Sequence, residues 1–226
     1  MTPLHRHQLA WLTPAGWSRV RDRAWDAGAR DCLAHWAGHR LPLVVTRQPD
    51  DAAADEIALG LPAPRRWGRR RLALQVARGD ILYFDEFPRA ERLLHLVPPG
   101  ARNAWRALCA GLEACGARAR VHGSYGWQHL TGLEHVHATS DIDLWIAVDD
   151  AAQADAVGAQ LEAFGAERPR VDGELVFPGG RAVAWREWYA WRAGGARTVL
   201  VKHLQGSVLT SAPCVEGAEA LDEVPA

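Results

Sequence analysis

The segments Val121-His122-Gly123-Ser124-Tyr125-Gly126-Trp127 and Ser140-Asp141-Ile142-Asp143-Leu144-Trp145-Ile146 decide the fold. In the second, Ile142, Leu144 and Ile146 alternate with other residues, which predicts a half-buried strand over 141–148. Alternation turns the aliphatic side chains into the core. It sends Asp141 and Asp143 out together on the opposite face, roughly 7 Å apart at the Cα. Two carboxylates placed this way repel unless a cation lies between them. Mg²⁺ takes one or two carboxylates and completes its shell with water and phosphate oxygens. The pair is therefore a platform for one or two Mg²⁺ ions gripping a polyphosphate. The first segment reads as a strand (118–122), a Gly123-Ser124 turn and a short helix (125–133). Glycine lets backbone approach a phosphate closely. The Ser124 hydroxyl and the amides opening the helix can bind its oxygens. A Gly-Ser turn alone is commonplace, and an Asp-x-Asp pair alone reads equally well as a solvated face. Their conjunction in this order carries the metal and phosphate reading.

Downstream, Asp149 and Asp150 open a helix that buries Ala154, Val157, Leu161 and Phe164 and stops at Gly165. Val171 to Phe177, Pro178-Gly179-Gly180 and Arg181 to Trp188 read as a β-hairpin, with 199–201 as a last strand. Upstream, Asn103 is placed to cap a helix with Trp105, Leu108, Cys109, Leu112 and Cys115 on one face. The first ninety residues read as helices over 14–28 and 29–37, a strand at 43–46 and a polar loop over 48–55. A rigid extended turn at Leu59–Pro64, a basic cluster at Arg65–Arg71 and a strand at 72–76 follow. Pro88 to Gly100 reads as a hinge. The expected organisation is a mixed N-terminal domain over 1–95, a catalytic domain over 96–212 and an acidic flexible tail over 213–226. The element order implies an α+β fold, not a doubly wound sheet.

Composition narrows the class. With 48% hydrophobic and 23% charged residues, the 226-residue chain is no wholly disordered polymer. Its 26 Lys+Arg balance 27 Asp+Glu, so no basic field for nucleic acid exists. Lys202 is the one lysine; an Arg-rich codon bias explains this more simply than phosphate recognition. The four cysteines form no CxxC pair, and His135-x-His137 lacks further ligands at zinc spacing. The N-terminus lacks the apolar run of a signal peptide, and no stretch suits a bilayer span. A cytoplasmic protein without membrane partners is the expectation.

The pattern from Gly123-Ser124 to Asp141-Ile142-Asp143-Leu144 resembles the nucleotidyltransferase superfamily, with its polymerase-β-like fold of a mixed sheet flanked by helices. More narrowly, 123–133 with 140–144, Val171–Val176, Ala182–Glu187 and Val199–Lys202 resemble the phosphoribosyl-dephospho-CoA transferases of malonate decarboxylase, also called its holo-acyl-carrier-protein synthases. Arg6-His7, Pro42–Gln48 and Leu59–Pro62 are similar to that family too. The resemblance implies a phosphoribosyl-dephospho-CoA group moving from 2′-(5″-triphosphoribosyl)-3′-dephospho-CoA to a serine of the acyl carrier protein, with release of diphosphate and Mg²⁺ as cofactor. It also implies a third carboxylate beside Asp141 and Asp143. Glu174 is favoured because it sits among strand residues after the intervening helix, with Asp172 and Glu187 as alternatives. Gly123, Ser124, Lys202 and Arg47 are the candidate phosphate ligands; an exposed strand-end lysine and a solvated basic turn are the plain readings of the last two. Two rivals remain: adenylyl or uridylyl transfer to another acceptor, and a non-catalytic nucleotide-binding module.

Overall fold

The computed structural model describes residues 4–49, 55–165 and 168–211. Five strands, β1 (Leu9–Leu12), β2 (Leu43–Val45), β3 (Glu56–Pro62), β4 (Arg71–Ala77) and β5 (Ile81–Asp85), form an antiparallel sheet in the order β4-β3-β2-β1-β5. Helices α1 (Pro14–Arg21) and α2 (Ala27–Gly38) lie between β1 and β2 in sequence. Thr13 and Asp26 start them by accepting the Gly16 and Ala29 amides at 3.0 and 2.9 Å. Leu43, Val45, Leu59, Leu61, Leu72 and Leu74 alternate into a core shared with Trp17 and Leu33 of these helices. The strand residues between them point the other way. Val44, Gly60 and Ala73 stand side by side in register on that second face.

Six strands make the second sheet: β6 (Arg118–His122), β7 (Ile142–Ala147), β8 (Val171–Phe177), β9 (Arg181–Ala184), β10 (Val199–Lys202) and β11 (Ser207–Thr210). Their order is β11-β10-β9-β8-β7-β6, and β7 and β8 run parallel while the other neighbours are antiparallel. A parallel pair needs a crossover, and α5 (Ala151–Glu162) provides it. Helix α3 (Arg102–Ala114) adds Trp105, Leu108 and Leu112 to the core, and α6 (Trp185–Arg192) adds Trp188. Helix α4 (Gly123–Thr131) connects β6 toward β7. The expected α+β class, with a mixed sheet flanked by helices, is the class observed.

Several local expectations need correction. Leu59–Pro64 is not a turn; through Pro62 it is the end of β3, with Leu59 and Leu61 buried and Pro62 at the terminal pairing with Arg71. Trp185–Trp188 opens helix α6 instead of prolonging β9, because that spacing buries both Trp185 and Trp188. β10 is followed by β11. The helix expected over 14–28 breaks after Arg21 and restarts under the Asp26 cap. Asn103 lies inside α3, where its Oδ1 accepts from Arg106 Nη1 at 2.9 Å. Strands β1 and β5 were not anticipated. The tail over 213–226 lies outside the described residues.

The two sheets share a seam. Trp127 of α4 belongs to the first core, edge-on to Phe87 with centroids 5.4 Å apart. Val121 N donates to Pro88 O at 2.9 Å, and Gln48 N donates to Leu204 O at 2.9 Å. Gly126 sits where these parts close. A Cβ there would stand 2.3 Å from Val121 O and 2.8 Å from Phe87 Cδ1. Gly126→Ala should therefore destabilise the protein by about 1–3 kcal/mol, read as a lower urea midpoint. An unchanged midpoint would contradict this close packing.

Candidate active site

His122 ends β6, and α4 begins at the next residue. In the β6–β7 register His122 lies opposite Asp143, so the start of α4 and the Asp143 carboxylate share one end of the sheet. Gly123 has φ +57, and a Cβ there would fall 1.9 Å from Asp143 Oδ2. Only glycine admits both the left-handed backbone and the carboxylate. The first amides of α4 have no helical acceptor, which leaves them available to an anion.

β8 sets Asp172 directly beside Asp143 and Glu174 beside Trp145. Alternation puts Asp143, Asp172 and Glu174 on one face. Asp141, just before β7, accepts from Arg170 Nη2 at 2.8 Å and Nε at 3.3 Å. Asp172 Oδ1 accepts the Gly173 amide at 2.9 Å and lies 3.6 Å from Arg186 Nη1, in an exposed setting. Glu174 is buried and accepts from Lys202 Nζ at 2.6 Å, while His7 Nε2 lies 3.5 Å from its other oxygen. Neither atom of that second contact has a hydrogen-bond partner. Burial raises the Glu174 carboxyl's affinity for a proton. His7 and the Lys202 ammonium more than reverse this and hold it below the usual range. Asp143 has no such partner among the described residues. Burial, then the Asp172 and Asp141 charges, push it up to about 6.

The other sequence candidates separate in space. Ser124 lines a cleft of about 580 Å³ together with Gly123, Asp143, His122, His7 and Arg47. Arg47 also donates from Nε to Gln205 O at 2.6 Å, which ties β2's end to the β10–β11 turn. Glu187 is elsewhere, accepting the Leu200 amide at 3.1 Å and joining α6 to β10. Lys202 is engaged by Glu174, a pairing not read from the sequence. His7, Arg170 and the buried His135 were missed as site residues. Arg6-His7 carries a signal through its resemblance to the family and His135 one through the His135-x-His137 spacing; Arg170 carries none. Among the described residues no three His, Cys, Asp or Glu side chains are grouped as a metal site. The donors still suit a hard cation, since Asp143 is an unpartnered oxygen ligand between acidic neighbours.

A glycine-serine helix start set against clustered carboxylates is the equipment of an enzyme that transfers a phosphorus-containing group. Comparison with known proteins identifies which one. The family model described as the phosphoribosyl-dephospho-CoA transferase MdcG C-terminal domain matches residues 89–213, and the corresponding N-terminal domain model matches residues 5–87. The chain belongs to the phosphoribosyl-dephospho-CoA transferase family. A Xanthomonas campestris pv. campestris (strain 8004) protein of that name is 37% identical over 202 residues, covering 89% of this chain and 91% of the relative. One from Bradyrhizobium diazoefficiens is 36% identical over 213 residues, covering 92% and 90%. One from Pseudomonas putida (strain W619) is 34% identical over 208 residues, covering 92% and 93%. No solved structure matches the chain significantly. Among the described residues no helix is long and apolar enough to cross a membrane.

The raised Asp143 carboxyl makes stability depend on pH when divalent cations are absent. The folded chain keeps the Asp143 proton to higher pH than the unfolded chain. The contribution is therefore full below the ordinary value of 3.8 and lost as pH rises through about 6. In EDTA, Asp143→Asn should be more stable than the parent at pH 7.5 by on the order of 2–3 kcal/mol, with the advantage shrinking toward pH 4. Thermal unfolding at both pH values checks this; a difference independent of pH would reject it.

Proposed function

We propose that the chain transfers the phosphoribosyl-dephospho-CoA group from 2′-(5″-triphosphoribosyl)-3′-dephospho-CoA to a serine of the acyl carrier protein of malonate decarboxylase, in the cytoplasm, with release of diphosphate. The observation that carries this reading is the approach of Asp143 to the Gly123-Ser124 helix start, at the polar end of a cleft large enough for a nucleotide. Asp143 and Asp141 would hold Mg²⁺, with Asp172 as third carboxylate. Its place beside Asp143 and its exposed carboxylate favour it over Glu174, which Lys202 already pairs with. Mg²⁺ there supplies charge neutralisation to the triphosphate.

The chain's own groups do the rest. The Ser124 hydroxyl and the opening amides of α4 bind and orient the phosphate oxygens. The carrier serine Oγ attacks the α-phosphorus as the bond to the diphosphate oxygen breaks, and its proton passes to Asp172. Arg170, which donates to Asp141, would have to release that carboxylate for Asp141 to hold Mg²⁺, and its exposed guanidinium could then pair with a phosphate oxygen.

Intact-mass analysis of apo carrier protein with enzyme, donor and Mg²⁺ tests the reading. The expected outcome is a mass gain equal to phosphoribosyl-dephospho-CoA, dependent on the triphosphoribosyl donor and absent with ATP or UTP. Asp141→Ala, Asp143→Ala and Asp172→Ala should each slow loading by roughly 10²–10⁴-fold. Glu187→Gln should affect stability and not loading. Loading at full rate by the Asp141→Ala, Asp143→Ala double variant would overturn the proposal.

A further inference from the structure

The cleft extends well beyond the phosphate end, and its far wall is the open face of the N-terminal sheet. Val44, Gly60 and Ala73 form one row across β2, β3 and β4 in that wall. Their neighbours Leu43, Leu59 and Leu72 face the helix-packed core, so this row is the sheet's second face. Gly60 and Ala73 project almost nothing from the backbone, leaving an apolar floor bordered by the Val44 and Thr46 methyls beside Gly60. Phe87 and Trp127 also line the cleft.

A small-residue floor is not a site by itself, but an unsatisfied polar atom lines the same cleft. His135 is 7% exposed, lines the same cleft, and its Nε2 has no hydrogen-bond partner. Burial lowers its affinity for a proton to about 4, so the ring is neutral at ordinary pH. A buried polar atom without a partner is costly, and a ligand that supplies one recovers that cost. A neutral imidazole stacked on Trp127, in a cleft with small apolar lining residues, suits a neutral planar heterocycle, not an anion. Anion recognition comes from elsewhere in the cleft. Arg6, Arg47 and Arg71 line it, and Asp143 is the one acid among its described lining residues. Arg6 and Arg71 have no ion-pair partner among the described residues.

We propose that this face of the N-terminal sheet is an adenine subsite, in which Gly60 and Ala73 form the floor, His135 hydrogen-bonds the edge of the base, and Arg71 and Arg6 take the diphosphate that links an adenosine to a pantetheine arm. The proposal rests on the transferase reading for its choice of ligand and deepens it. The N-terminal sheet would hold the dephospho-CoA half of the donor while Gly123, Ser124 and Asp143 hold the reacting half. Specificity for the donor would then arise mainly in the unit that does not carry the carboxylates.

The test is calorimetric titration of the full chain in EDTA with dephospho-CoA, ADP and 4′-phosphopantetheine. Dephospho-CoA and ADP are expected to bind, and 4′-phosphopantetheine is not. His135→Leu and Gly60→Val should each weaken dephospho-CoA by about tenfold or more. Arg71→Ala, an exposed change that leaves the core intact, should weaken it by a similar factor and flatten its salt dependence. Melting curves confirm that each variant folds. Binding of 4′-phosphopantetheine but not ADP, or equal dephospho-CoA affinity in the parent and in folded Arg71→Ala and His135→Leu, would overturn the subsite. Carrier loading separates the two proposals. Loading that proceeds with an unchanged donor KM in His135→Leu and Arg71→Ala sinks the subsite and leaves the transfer reading intact. ADP binding as expected without any mass gain on the carrier sinks the transfer reading and leaves the adenine subsite standing.

Discussion

Four carboxylates act on one another at the end of the second sheet, and their charges must be compensated. Asp141 has Arg170, Asp172 has Arg186, and Glu174 has Lys202 with His7. Asp143 has no cation of its own among the described residues. The consequence is local: the Asp143 carboxyl is pushed up to about 6, by burial first and by its acidic neighbours next. A group poised this way favours whatever cation or proton can reach it. The three compensated acids differ in how firmly they are held. Glu174 is buried in a short ion pair, and removing either partner would strand a charge in the interior. Asp172 is exposed and loosely paired, so its carboxylate can be redirected at little cost.

The same electrostatics explain why the backbone beside Asp143 has so little freedom. The start of α4 carries partial positive charge, and bringing the carboxylate against it offsets part of the burial penalty. That approach exists because position 123 has no Cβ. Gly126, a turn later, closes the helix against Val121 O and Phe87 in the same way. Two glycines thus fix α4 between the sheets: one sets the distance to the acid, the other the distance to the N-terminal unit.

The second half was legible where one signal dominated. Arg118–His122 and Ile142–Ala147 alternate cleanly, and α5 shows its buried stripe and its Asp150 cap. Leu59–Pro64 misled because Gly60, Pro62 and Pro64 outweighed the Leu59/Leu61 alternation. The glycine there serves a row of side chains across the sheet, not a turn. β5 alternates poorly, with Leu82 and Tyr83 both exposed. Trp185–Arg192 is rich in strand-favouring aromatics, yet burying Trp185 and Trp188 together requires a helix. In the site, Asp143 and Gly123-Ser124 could be read because they are close in sequence. The pairing of Glu174 with Lys202 and His7 could not, since it depends on how β8, β10 and the N-terminal segment meet.

That meeting also constrains how the two units are related. His7 has φ +66, stacks on His122 with centroids 4.2 Å apart, and faces Glu174. A non-glycine residue in the left-handed region carries strain that surrounding contacts must hold in place. Here the contacts come from both units: the His7 amide donates to Val45 O at 3.1 Å, and the ring lies against the second sheet. Burial meanwhile lowers His122's affinity for a proton to about 3, with His7 adding to the effect, so the ring between the two units stays uncharged. A neutral His122 next to Asp143 neither competes for the carboxylate nor adds charge to the cleft. The N-terminal unit therefore does more than cover the second sheet. It sets His7 against Glu174, which Lys202 also engages, while Asp143 has no cationic partner among the described residues.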